Sequence, residues 1–116
     1  MIILDSMGHL YSTKDLQELY DFAVKKLKLK PEWNHYSRHF PHFDLTTHKK
    51  KSLAIEHGAI FIDAREDIEQ VRLTRKVFAE LYQEKWINQK IKYFYESKGL
   101  YGQAILRIDF KLLGIS

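Results

Sequence analysis

Apolar positions fall into three short runs and two helical stripes along the 116-residue chain. The runs are IILD at 2–5, AIFID at 59–63 and QAILRIDFKLL at 103–113, each short enough and apolar enough for a buried strand. Between the first two, Leu16, Leu19, Tyr20, Ala23 and Leu27 recur at helical intervals among charged residues, predicting an amphipathic helix over 13–29. Ser12 or Thr13 is its expected cap, and Pro31 ends it or opens a short turn through Trp33. Thr46 is the expected N-cap of a second helix running to His57, with Gly58 as its left-handed stop. Beyond the second strand, Asp63 is placed to cap a long helix from about Ala64 to Ser97, its buried face marked by Ile68, Val71, Phe78, Leu81 and Tyr82.

Strands alternating with helices predict an α/β fold. We expect a small three-stranded sheet, at least partly parallel, with packed helices and a long C-terminal helix. The chain reads as a single domain: a core over residues 1–62, followed by the long helix and a final strand over 63–116. SMGHLYST at 6–13 and the histidine-rich stretch HYSRHFPHFDLTTHKKK at 35–51 read as polar loops.

Composition narrows the class. A hydrophobic fraction of 45% and seven each of Phe and Tyr support a packed core rather than disorder. No apolar run approaches the length needed to span a bilayer, and no signal peptide is visible at the start. The absence of cysteine removes disulfides and thiolate metal ligands, which fits a cytoplasmic protein. A net charge of +4 and a pI near 9.2 favour a polyanionic partner, either a phosphate-bearing small molecule or nucleic acid.

Chemistry concentrates at the carboxyl ends of the expected parallel strands, where ligands of α/β sheets collect. Asp5 and His9 follow the first strand, and the histidine-rich segment is placed to bring His42 and Asp44 beside them. A two-residue spacing sets His42 and Asp44 on one side of an extended segment, where the carboxylate can orient the imidazole for acid–base work. Lys49, Lys50 and Lys51 sit at the start of a helix, where a cation is unfavourable unless an anion joins it. The candidate site is therefore His9, His42 and Asp44 as catalytic groups, with Asp5, Thr46, Lys49 and Lys50 binding the ligand. An alternative use of the same nitrogen and oxygen atoms is a divalent metal site, although no established ligand spacing such as HExxH is present. The plain reading of the lysine run is a solvated basic face, and that of Asp44 a helix cap. The sequence leaves any cofactor open. The aromatic segment KYFYESKG at 92–99 suggests subunit contact through the C-terminal helix.

The ordered pieces over residues 1–62 resemble a family of short bacterial and phage proteins, domain of unknown function 4031. They are Asp5, His9-Leu10, Glu18-Leu19-Tyr20-Asp21-Phe22-Ala23, His42-Phe43-Asp44 and Gly58-Ala59, with Lys49 and Lys50 matching a basic pair. Phe43 stands where the family pattern has Tyr. The resemblance supports the site residues and implies no established activity. A small phage-encoded accessory protein would fit the resemblance. The sequence as a whole leaves two roles: an enzyme processing nucleotides or nucleic acid at the His/Asp/Lys site, or a non-catalytic accessory protein binding host machinery or nucleic acid.

Overall fold

The computed structural model describes residues 1–37, 40–66, 69, 72, 76, 106–107, 110 and 114–115. Among them the fold is mixed α/β, built on a six-stranded sheet rather than the expected three strands. In chain order the strands are β1 (Ile2–Asp5), β2 (His9–Ser12), β3 (Asn34–Ser37), β4 (Phe40–Asp44), β5 (Ile60–Ile62) and β6 (Leu106–Arg107). Their spatial order is β5-β1-β2-β4-β3-β6. β1 and β5 are parallel, as the alternation of strand and helix predicts, and every other pairing is antiparallel.

The three additional strands lie in segments that read as polar loops. β1 turns into β2 within three residues. Beyond Trp33, half of the histidine-rich stretch is the β3–β4 hairpin. Their pattern hides them because one face carries His9, His42 and Asp44, and because Pro41 inside β4 is a residue usually excluded from sheets.

The helix expected over 13–29 is shorter and changes character. Asp15 caps α1 (Leu16–Tyr20) by accepting from the Glu18 amide at 2.8 Å, in place of Ser12 or Thr13. Asp21–Lys26 continues as a π-helical segment that keeps Phe22 and Ala23 buried. Its wider winding ends where Leu27 donates to the Phe22 carbonyl, five residues back, and Lys28 takes φ 59°. Ser12 instead accepts from the amides of Lys14 and Asp15, while donating to Glu18 at 2.7 Å. Pro31–Trp33 forms a single 3-10 turn, as Pro31 predicts.

The second helix, α2, spans His48–Glu56 and is capped by Thr47, whose hydroxyl accepts from the Lys50 amide at 3.2 Å. Thr46, the expected cap, is exposed one residue earlier. Thr47→Ala should therefore cost about 1 kcal/mol. Thr46→Ala should stay within roughly 0.5 kcal/mol. Urea titration of the two variants distinguishes the assignments, and equal losses would refute this one. Gly58 closes α2 with φ 109°, as expected.

Past β5, Asp63 accepts from the Arg65 amide at 2.8 Å, opening a turn before helical backbone at Glu69, Arg72 and Lys76. The remainder of the expected long helix and the aromatic segment at 92–99 lie outside the described residues. Of the expected last strand, Leu106–Arg107 pairs with β3, and Phe110 is buried.

The core has a continuous cross-strand row. Leu4, Leu10, Phe43 and Asn34 are successive register partners across β1, β2, β4 and β3, all buried, and the exposed Phe61 of β5 continues the row at the sheet edge. Phe43 lies parallel to Phe110 with centroids 6.4 Å apart, and Phe110 meets Tyr20 of α1 edge-on. This face of the sheet buries the apolar side of α1. The candidate chemistry is on the other face, because side chains alternate along each strand.

Candidate functional site

Three neighbouring strand segments assemble the site. His9 begins β2 and is the direct register partner of Asp44, the last residue of β4. Partners across a sheet project to the same face, and His42 joins them because it lies two residues before Asp44. The outcome is a compact group: His9 Nε2 is 3.6 Å from Asp44 Oδ1, and His42 Nε2 is 3.5 Å from the same oxygen. The two imidazoles meet edge to face, with centroids 4.9 Å apart at 68°. His42 is buried at 4% exposure, His9 is partly buried, and the Asp44 side chain is 40% exposed. The site is thus closed on the His42 side and open to solvent at Asp44.

Asp5 fixes His9. Its Oδ1 accepts from the amides of Met7 at 2.9 Å and His9 at 3.0 Å, leaving Oδ2 to meet His9 Nδ1 at 3.3 Å. Burial of Asp5 pushes its carboxyl up, but the bonds to His9 and the His9 and Met7 amides, with the imidazole's charge, outweigh this and leave the pKa below the usual aspartate value. The carboxylate is therefore ionised and draws a proton to Nδ1. His9 Nε2 then faces His42 and Asp44. Asp5, expected as a ligand-binding group, has both carboxylate oxygens engaged by the β1–β2 turn and His9.

The turn between β1 and β2 makes this clamp possible. Gly8 has φ 87°, donates to the Asp5 carbonyl and accepts from the Leu45 amide at 2.8 Å. That last bond ties the turn directly to the residue after Asp44.

The lysine run divides among three settings. Lys49 is exposed on α2. Lys50 places Nζ 4.6 Å from the centre of the Trp33 ring, a cation–π contact that draws it away from His9 and Asp44. Lys51 lies over the hairpin turn, where its Cε would be 3.5 Å from a Cβ at Gly8. Of the three lysines, Lys51 is the one placed beside the β1–β2 turn, a position the sequence reading did not single out. Its signal in the sequence is its place four residues after the Thr47 cap, on the next turn of the helix. His35 is the register partner of His42, on the next strand of the same sheet.

Phe43 is 1% exposed in the core, on the face away from His42 and Asp44, so a hydroxyl there would be far from the candidate chemistry.

Two imidazoles and two carboxylates can transfer protons in pairs, or they can hold a divalent ion through nitrogen and oxygen. Among the described residues no helix is long and apolar enough to cross a membrane. Comparison with protein-family models, curated proteins and solved structures finds no match to this chain, so the family resemblance rests on the sequence pieces alone.

Proposed function

We propose that the protein is an enzyme acting on a phosphate-bearing ligand, a nucleotide or nucleic acid, at His9, His42 and Asp44. The observation that carries this reading is their meeting around Asp44 Oδ1, with Asp5 holding His9 in a fixed tautomer. His9 backed by Asp5 acts as the base, because the carboxylate stabilises the imidazolium formed when Nε2 takes a proton. His42 supplies a second imidazole for the leaving group. The basic start of α2, with Lys51 over the turn, attracts the phosphate.

The test is thermal unfolding with inorganic phosphate, nucleoside mono-, di- and triphosphates and a short oligonucleotide, paired with hydrolysis of a chromogenic phosphodiester. A ligand at 100 times its Kd should add about 2.7 kcal/mol of stability. The shift and the hydrolysis should both be lost in His42→Gln and kept in His57→Ala. No response to any ligand would overturn the proposal.

A second reading, a non-catalytic accessory protein, draws support from β5. Ile60 and Phe61 are 48% and 55% exposed on a strand at one end of the described sheet order. Exposed apolar strand edges invite pairing with another chain, whether a second copy or a host protein. Phe61→Lys should then abolish concentration-dependent association on sizing with light scattering, without altering the ligand panel. A wild-type chain that stays monomeric and captures no host protein would remove this reading.

A further inference from the structure

We propose that His9, His42 and Asp44 form a three-ligand site for a first-row divalent transition-metal ion, with Asp5 orienting His9. It rests on the same convergence as the proposed function but requires no phosphate ligand.

The spacing carries the inference. One nitrogen from each histidine and one oxygen of Asp44 all lie within 4.8 Å of one another. Donors at about 2.0–2.2 Å from a tetrahedral ion are roughly 3.3 Å apart. The two nitrogen–oxygen separations, 3.5 and 3.6 Å, are within a few tenths of that. They are long for hydrogen bonds and suited to donors that share an ion.

The surroundings match as well. The Asp5 carboxylate against His9 Nδ1 is the arrangement that orients metal-bound histidines: it fixes the tautomer and raises the basicity of the donor nitrogen. Asp5 is suited to this supporting place because it is 3% exposed and its other oxygen is held by two backbone amides. The three donors stand on paired strands, not on loops, which holds them near one another before any ion arrives. The widest pair, up to 4.8 Å apart, has to close to about 4 Å or less for one ion to bind all three. Two imidazoles with one carboxylate favour zinc, iron, cobalt, nickel or manganese over magnesium or calcium, which take oxygen donors. Three protein donors leave coordination positions for water or a phosphate oxygen, the pattern of a reactive site rather than a closed structural one. The donors come from two strands separated by a helix, which is why no short sequence motif announces them.

Calorimetric titration of chelator-treated full-length protein with Zn²⁺, and visible absorption with Co²⁺, tests this. One equivalent should bind, with the low-symmetry Co²⁺ absorption of a four- or five-coordinate nitrogen–oxygen site. Asp44→Asn, at an exposed position that tolerates change, and His42→Gln should each abolish that absorption. Asp5→Asn should weaken binding by about 10–100-fold, the effect expected of a supporting carboxylate. His57→Ala should leave it unchanged. Absence of binding, or binding that survives both Asp44→Asn and His42→Gln, would overturn the proposal. The outcomes separate from those of the phosphate panel: a ligand response without metal binding removes only the metal site. Metal binding without any ligand response removes only the phosphate reading.

Discussion

Gly8→Ala is expected to lower stability by about 2–5 kcal/mol, a large share of the total for a domain of this size. Two costs combine. The residue holds φ 87°, and a left-handed backbone costs an L-residue about 1–2 kcal/mol. A Cβ at this position would also come within 2.8 Å of the Leu45 carbonyl oxygen, a backbone atom that cannot rotate aside. Relieving that overlap costs about a further 1–3 kcal/mol and pushes the turn away from β4. The bond from the Leu45 amide to the Gly8 carbonyl is then lost or lengthened, and with it the approach of His9 to Asp44. Thermal unfolding should show a midpoint lowered by on the order of 10 °C or more. A decrease under about 2 °C would mean that the turn adapts freely and does not set the site.

Asp5→Ala and Asp44→Ala should differ sharply, although both remove an aspartate next to the same histidine. Removing Asp5 strands two part-buried amide donors, those of Met7 and His9, and takes away the partner of His9 Nδ1. Each unsatisfied buried donor costs about 1–3 kcal/mol, so a loss of about 2–4 kcal/mol is expected. Asp44 has a side chain 40% exposed, so its removal should stay within roughly 0.5 kcal/mol. In urea the first variant should shift the midpoint with an unchanged slope, and the second should coincide with wild type. Equal shifts would contradict the separation of a supporting carboxylate from an exposed one.

The parts of the fold legible in the sequence were those with strong apolar periodicity or distinctive capping. IILD and AIFI declare themselves as β1 and β5, and their parallel pairing matches the expectation drawn from alternating strands and helices, although three further strands intervene. Gly58 acts where its chemistry predicts, whereas Asp63 caps a turn at 64–66 in place of the helix start expected there. β2, β3 and β4 were hidden because polar residues interrupt both faces, His9, His42 and Asp44 on one and Ser12 and Asn34 on the apolar one. HLYS and NHYS carry polar residues, and two of these, Ser12 and Asn34, are fully buried. The π-helical winding at Asp21–Lys26 has no signal in residue spacing, since the same apolar positions serve an ordinary helix. Within the site, the pairing of His42 with Asp44 was legible from spacing, and the nearness of Asp5 and His9 from topology. The division of labour was not. That Asp5 supports and Asp44 faces solvent depends on which oxygen meets which amide, and that Lys50 is engaged by Trp33 depends on tertiary packing.

The pairing of His9 with Asp44 has a consequence for how the chain finds its fold. A slip of β4 by one residue would set Phe43 opposite His9 and send His42 and Asp44 to the apolar face. There, a carboxylate and an imidazole would replace an aromatic ring against Phe110. The misaligned sheet would thus forfeit core contacts and bury charge at once. The same polar residues that form the candidate site therefore also disfavour the slipped register of β4.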